Sequence, residues 1–302
     1  MARSISSSSP RVSIVTPSYN QGWCIERTIL SVLRQDYENI EYVIMDSAST
    51  DETRHILAKY SNEIDIICQE KDKGQSDALN RGFKKTTGSI LAYLNSDDCY
   101  ASRTVVSDAV KVLTSEPGID LVYGRRYFID KNGFYTRAYP YREYDRELLK
   151  KSCYVPQECT FWTREIYERS GDRVDDSLRF AMDYELWLRF LQHGAKFKSI
   201  DSVYGLFRWH EDQKSQDLWK TVALPEIASL QSKYCSRVMQ EQEMQNEAEL
   251  HDFGVNIHSE KWAFNLSIEL WKRRNAFKLN AFADTPLDQW PLNTIYAVCR
   301  ER

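Results

Sequence analysis

From Val12 to Leu94 the chain alternates short β-branched apolar runs with polar loops and helical segments, and that alternation restricts the fold more than any other feature. Val12–Thr16 reads as a strand ended by Pro17, and Trp23–Arg34 sets Ile25, Ile29, Val32 and Leu33 on one side of a helix. Ile40–Met45 is a second strand, after which Ser49, Thr50 and Asp51 can cap a helix at Glu52–Tyr60. A third strand at Glu63–Gln69, a helix at Gln75–Lys84 and a fourth strand at Ser89–Leu94 complete the series. Strands alternating with helices imply a parallel sheet with right-handed crossovers. Such a sheet gathers its strand-end loops along one edge, so Thr16–Asn20, Asp46–Asp51, Asp72–Gln75 and Asn95–Asp98 converge on one rim. The last loop is the most informative. Ile90–Leu94 delivers Asn95, Ser96, Asp97 and Asp98 to the carboxyl end of a buried strand, where α/β sheets hold their ligands. Adjacent carboxylates there are commonly compensated by a divalent cation bridging to a phosphorylated ligand.

Composition narrows the class. The 302 residues suffice for one large α/β domain and an appendage, and a net charge of -4 gives no basic excess for a nucleic-acid partner. Seven cysteines without a C-x-x-C pair fit reduced thiols in a cytoplasmic setting rather than a disulfide frame or zinc site. The polar start, MARSISSSSP, reads as a disordered leader over residues 1–10. No apolar stretch approaches the roughly 20 residues of a membrane span, so the expected protein is soluble or at most peripheral. The chain has neither a G-x-G-x-x-G nor a G-x-x-x-x-G-K motif, which counts against a dinucleotide dehydrogenase or a P-loop enzyme.

The second part is less regular. Thr104–Thr114 reads as a helix, and Leu121–Ile129 as a strand entering a hairpin turn at Lys131, Asn132 and Gly133. After Tyr154–Phe161 comes a helix at Arg164–Arg169 stopped by Gly171. Asp183 starts an amphipathic helix at Tyr184–Gln192, followed by strands near Lys196–Ile200 and Val203–Phe207. From about Asp217 the chain reads as helical and charged, including Gln240–Glu249. Trp262, Phe264, Leu266, Leu270 and Trp271, followed by Lys272, Arg273 and Arg274, have three readings: a helical cap on the main domain, which is preferred, a membrane-surface helix, or a dimer interface.

RVSIVTPSYNQ, YVIMDSASTDET, EKDKGQSDALNRGFKKTTGSILAYLNSDD, RFAMDYELWLRF and FRWHEDQKS, in that order, resemble a family-2 glycosyltransferase over about residues 11–215. The resemblance implies the GT-A fold, a Rossmann-like α/β architecture with a mixed, mostly parallel sheet flanked by helices. It implies a catalytic domain at 11–216, with a nucleotide-binding half at 11–100 and an acceptor half at 101–216, and a helical extension at 217–302. It implies an inverting enzyme that moves a sugar from a nucleotide donor, expected to be UDP-linked, to a hydroxyl of a glycan or lipid-linked glycan in surface polysaccharide assembly. Carried over by motif, Thr16, Pro17, Tyr19, Asn20 and Asp46 would hold the base and ribose, and Asp72, Gln75 and Asn80 a second nucleotide-facing loop. Asp98 would coordinate Mn2+ or Mg2+ together with His210, Asp97 would lie nearer the ribose or sugar, and Asp183 would be the catalytic base. Gln157 would face the donor or acceptor sugar. Two positions depart from the common pattern: Ser47 and Ala48 follow Asp46 where a second acid or Gly is usual, and Met182 precedes Asp183 where another acid is common.

Without the resemblance these residues have plainer readings. Asp97 and Asp98 fit a solvated turn, Asp46 with Ser49 and Thr50 a capping arrangement, and Asp183 a helix N-cap. His210 fits a packed histidine, Gln157 a loop amide, and Trp162, Trp187 and Phe161 core. The competing functions are a nucleotidyltransferase, from which TPSYNQG lacks the basic phosphate loop, and a nucleotide-sugar-binding protein without catalysis, against which Asp98, Asp183 and His210 speak.

Overall fold

The computed structural model describes residues 9–139, 141–210 and 218–236. The first half follows the sequence pattern: β1 (Val12–Ser18), α1 (Ile25–Leu33), β2 (Ile40–Asp46), α2 (Thr53–Lys59), β3 (Ile66–Gln69), α3 (Gln75–Phe83) and β4 (Ile90–Tyr93). The second half contains β5 (Cys99–Tyr100), α4 (Val105–Ser115), β6 (Leu121–Asp130), β7 (Tyr135–Ala138), α5 (Arg146–Leu149), β8 (Thr160–Thr163), α6 (Arg164–Arg169), α7 (Met182–Gln192) and β9 (Phe197–Trp209). The last described helix is Leu224–Cys235.

Among the described residues nine strands form one sheet in the order β3-β2-β1-β4-β8-β6-β9-β5, with β7 paired to β6. The β3-β2-β1-β4 half is parallel, whereas β8 joins β4 antiparallel and brings in the mixed second half. Strand order reverses between β1 and β4. In an open α/β sheet that reversal opens a crevice beyond the carboxyl ends of the two strands.

Both faces of the central strands are covered, as a parallel sheet requires. On one face Val12, Ile14, Tyr42 and Ile44 pack with Ile25, Ile29 and Val32 of α1 and Leu57 of α2. On the other, Val15, Val43 and Met45 pack with Leu79 and Phe83 of α3 and Trp187 and Phe190 of α7. Trp162 and Trp187 are fully buried with ring centroids 5.5 Å apart, so both are core, and each such burial stabilises by roughly 1.5–3 kcal/mol. Pro17 sits inside β1 without cost. Val15 offers its carbonyl to Leu94 on the β4 side and Ser18 offers its own to Ser47 on the β2 side, so the missing Pro17 N–H faces β4 beyond the last β1–β4 pair, Val15 with Tyr93.

Two sequence expectations are corrected. The two strands near Lys196–Ile200 and Val203–Phe207 are one strand, β9, whose register against β6 slips between Tyr123 and Arg126. The slip lets the polar pair Asp201–Ser202 bulge outward, where Asp201 meets Arg125, and this polar interruption is what made one strand read as two. Asp183 is not the N-cap of α7: Ala181 is, and Asp183 lies within the first turn. Beyond residue 217, Ile227 and Leu230 of the helix Leu224–Cys235 join the core that contains Trp187. The stretches Gln240–Glu249 and Trp262–Arg274, residues 1–8 of the leader, and Glu211–Ser215 of the last motif lie outside the described residues. Among the described residues no helix is long and apolar enough to cross a membrane.

Candidate active site

The rim above β1 and β2 is made of two loops laced together. The Asn20 N–H donates to Ser49 Oγ at 2.8 Å, Gln21 N–H to Thr53 Oγ1 at 3.0 Å, and Gly22 N–H to Asp51 Oδ2 at 2.9 Å. In return Thr50 N–H donates to Asn20 Oδ1 at 3.0 Å. Asn20 and Ala48 both have positive φ, 51° and 53°, which folds each loop back toward the other. Asp46, at the end of β2, accepts from the Ser49 N–H at 3.0 Å and from the Ser49 hydroxyl, so it braces the turn from beneath. Ser47 Oγ extends the lacing to the third loop by accepting from Asp72 N–H at 3.1 Å.

A chain of amides runs across the crevice. Gln75 donates to Asn95 Oδ1 at 2.7 Å, Asn95 donates to Gln157 Oε1 at 3.3 Å, and Gln157 donates to the Tyr93 carbonyl at 2.6 Å. Gln75 and Gln157, far apart in sequence, are thereby joined through Asn95, the first residue of the acidic loop.

The two acids of that loop face different ways. Asp98 is 1% exposed and accepts from the Arg208 backbone N–H at 3.0 Å. Burial first, and then the neighbouring Asp97 charge, push its carboxyl well above the usual carboxylate range. Asp97 is partly exposed, and its Oδ2 lies 3.1 Å from Nε2 of His210. Arg208, the penultimate residue of β9, fixes this meeting by donating from Nε to the Asp97 carbonyl at 2.9 Å. Trp23, half exposed at 47%, sets its ring edge-on to His210 with centroids 5.0 Å apart.

On the far side of Asp98 sits a buried ion pair that sequence reasoning did not single out. Arg126 of β6 holds Glu158 through both carboxylate oxygens, and its guanidinium lies 4.5 Å from the Phe207 ring centroid. Gly205 permits this approach: a Cβ there would come within 2.6 Å of both Cys159 Sγ and Glu158 Cγ. Asp183 lies within reach of the same pair. Desolvation raises its carboxyl to about 6, against the lowering effects of the Tyr184 N–H at 2.7 Å and of Arg126. Tyr93 reports the convergence: burial first, then charges that include Asp183, Glu158 and Asp98, push its phenol well up.

Most of the candidates therefore gather around one crevice, namely Asn20, Asp46, Asp72, Gln75, Asp97, Asp98, Gln157, Asp183 and His210. Tyr19, 61% exposed, stands on its rim. Thr16 and Pro17 belong to β1 itself, where Thr16 lies with its hydroxyl 3.2 Å from Tyr42 Oη, inside the sheet. Asn80 is turned elsewhere, donating to the Val174 carbonyl at 2.9 Å and accepting from the Val174 N–H at 2.7 Å. The side chain that meets His210 is Asp97, whereas Asp98, expected as the direct metal ligand, is turned inward to Arg208. Arg126 and Glu158 were missed because each is unremarked in its own segment. The one available signal was a Glu beside Gln157 in an otherwise apolar run, Tyr154–Trp162.

Asp97 Oδ2 and His210 Nε2, 3.1 Å apart, would supply two donors to a divalent cation such as Mn2+ or Mg2+; among the described residues no cluster of three or more His, Cys, Asp or Glu side chains forms a metal site. So few protein donors leave most coordination positions for phosphate oxygens and water.

Comparison with known proteins identifies the family and the fold. The family described as Glycosyl transferase family 2 matches residues 13–171. An uncharacterized glycosyltransferase of Rickettsia typhi is 29% identical over 205 residues, covering 65% of this chain and 61% of that protein, so the chain falls short of two thirds of this relative's length. The Escherichia coli UDP-Glc:alpha-D-GlcNAc-diphosphoundecaprenol beta-1,3-glucosyltransferase WfaP is 30% identical over 213 residues, covering 69% of this chain and 81% of WfaP. In structure, S. aureus TarS 1-349 in complex with UDP-GlcNAc superposes with a TM-score of 0.59 at 17% identity, covering 78% of this chain and 69% of that one. Mannosyltransferase PcManGT from Pyrobaculum calidifontis, in complex with GDP-Man and Mn2+, superposes with a TM-score of 0.58 at 16% identity, covering 98% of this chain and 87% of that one. At such identities the structural likeness speaks for the fold, which is that of GT-A glycosyltransferases.

Proposed function

Given that this chain belongs to glycosyl transferase family 2, we propose that it is a metal-dependent inverting glycosyltransferase. It moves a sugar from a UDP-linked donor to a hydroxyl of a lipid-linked glycan during polysaccharide assembly, working in the cytoplasm at the edge of the membrane that carries the acceptor. The observation that carries this reading is the approach of Asp98 and Asp183, far apart in sequence, to the Arg126–Glu158 pair, with Asp97 next to Asp98 and 3.1 Å from His210. The printed names of WfaP and of the TarS complex support a UDP-sugar donor, and WfaP's name a diphosphoundecaprenol-linked acceptor.

In this reading the laced rim of Tyr19, Asn20 and Asp46, with Asp72 beside it, holds the base and ribose. The amide chain Gln75–Asn95–Gln157 faces the donor sugar. Asp97 and His210 would hold the divalent cation, and Asp98 would position Asp97 from beneath while Arg208 locks both. When bound, the cation supplies Lewis-acid stabilisation of the departing nucleoside diphosphate. Asp183 takes the proton of the attacking hydroxyl, a contribution of about 100- to 10,000-fold for a placed general base. Its raised carboxyl suits that task, because a base near neutrality accepts a proton readily yet is ionised at pH 7. Attack from the face opposite the diphosphate inverts the anomeric carbon without an enzyme nucleophile.

A panel of UDP- and GDP-sugars, screened by thermal shift and by nucleotide release with and without Mn2+ or Mg2+, tests the proposal. Stabilisation by UDP-sugars that requires metal is the expected result. Indifference to every sugar nucleotide overturns it.

A further inference from the structure

We propose that Glu226, on the helix Leu224–Cys235, is a positioning residue for Asp183, acting through the start of α7; this rests on the reading of Asp183 as the base. The first N–H groups of a helix have no partner within it. α7 receives no help from its own cap, because Ala181 has no side-chain acceptor. The Glu226 carboxylate, from another element, instead holds the N-cap residue and the two residues that lead into it. It accepts from three consecutive backbone N–H groups, those of Arg179 at 2.8 Å, Phe180 at 2.9 Å and Ala181 at 2.8 Å. Hydrogen bonds to an ionised acceptor are roughly twice as strong as neutral ones, and a negative charge suits the positive end of a helix. Asp183 follows immediately in the first turn, with its Oδ1 2.7 Å from the Tyr184 N–H. The backbone path through residues 179–181 therefore sets where the Asp183 carboxylate stands.

Glu226 is delivered by a helix with separate anchors. Gln231 donates to the Lys151 carbonyl at 2.9 Å, Tyr234 donates to Glu185 of α7, and the Phe180 and Trp219 rings meet edge-on at 5.7 Å. These contacts dock the helix Leu224–Cys235, and Glu226 alone among them reaches the three amides. The segment after the catalytic motifs thus completes the acceptor half rather than merely covering it.

The test compares Glu226→Ala, Glu226→Gln and Tyr234→Phe, the last loosening the same helix while sparing the three amides. For each, kcat and donor KM are measured with the sugar nucleotide that the wild-type protein turns over fastest in the panel above, together with Tm. Misplacement of a reacting group by about 1 Å can cost about 100-fold, so Glu226→Ala is expected to lower kcat about 30-fold and Glu226→Gln, which keeps one accepting oxygen, about threefold. Donor KM stays within about twofold in both, and Tyr234→Phe lowers Tm while its kcat stays within about twofold. Placed on Asp183→Asn, Glu226→Ala lowers the residual turnover no further. Wild-type kcat in Glu226→Ala, parallel loss of kcat and donor affinity, or a further tenfold loss on top of Asp183→Asn overturns the proposal. Glu226→Gln carries the test if Glu226→Ala does not fold. Asp183→Asn with wild-type turnover removes the base reading, and this proposal with it; loss of turnover in Asp183→Asn beside a fully active Glu226→Ala removes this proposal alone.

Discussion

The two halves of the crevice are held by different physics. Above β1 and β2 the rim is laced by many parallel hydrogen bonds between neighbouring loops, neutral ones through Asn20, Ser49, Thr50 and Thr53 and others to the Asp46 and Asp51 carboxylates. Each neutral one is worth about 1 kcal/mol net, and because they act together no single one decides the shape. Beyond β4 the order comes from charge: Arg126 holds Glu158 through both carboxylate oxygens, and the buried carboxyls of Asp98 and Asp183 feel the charges of that pair. There the loss of one partner strands another in a poorly solvated place. The nucleotide side is accordingly tolerant, and the chemical side is brittle.

The largest expected break of that contrast is Asp183→Asn, which keeps the shape and removes the base. Turnover should fall by about 1,000-fold while UDP affinity, read by calorimetry, stays within a factor of about two. Next comes Glu158→Gln. Glu158 is 1% exposed and binds Arg126 through both oxygens, so the fold should lose about 3–5 kcal/mol, read from the urea midpoint. A loss below about 1 kcal/mol would show that the ion pair is not the strut described here.

The pH profile gives a smaller, graded effect. Asp183 works only as the carboxylate, and burial lifts its pKa to about 6. The kcat/KM profile should therefore be flat above pH 7, half-maximal near pH 6, and fall about tenfold per pH unit below that. The sign for stability is opposite. A raised folded pKa means that the folded protein holds this proton more tightly than the unfolded chain, so protonating Asp183 favours the fold. Activity should fade between pH 6 and 5 with no loss of Tm attributable to this group. The smallest effect belongs to the rim: Ser49→Ala, which removes the hydroxyl shared by Asn20 and Asp46, should weaken UDP binding by about fivefold, in line with about 1 kcal/mol for one hydrogen bond.

The same contrast explains what could be read from the residues alone. β1 to β4 and their loops were legible because each element announces itself locally, by β-branched runs, helical periodicity and polar ends. The approach of Asp97, Asp98 and Asp183 to one crevice came from motif order rather than periodicity. What local pattern does not carry is which distant side chains satisfy one another. Nothing in the segment around Asn80 says that its amide will pair with Val174, and nothing in Arg126 or Glu158 announces their pairing across the sheet. The assignment of Asp98 rather than Asp97 to His210 went the other way for a similar reason. Asp97 and Asp98 lie in the turn between β4 and β5, and β9, through Arg208, decides which one turns inward. Ala181 likewise marks a helix start without a cap, and only the fold brings Glu226 to it.

We propose that one sugar nucleotide is held between the laced rim and a cation at Asp97 and His210. Calorimetric titration of UDP into the wild-type protein and Asp97→Asn, each with and without Mn2+, tests it most directly. The account expects Mn2+ to tighten UDP binding by tenfold or more in the wild type, by about the 1.4 kcal/mol that a factor of ten represents, and to leave Asp97→Asn unchanged. Equal UDP affinity with and without Mn2+ in the wild type, or full metal dependence in Asp97→Asn, would contradict it.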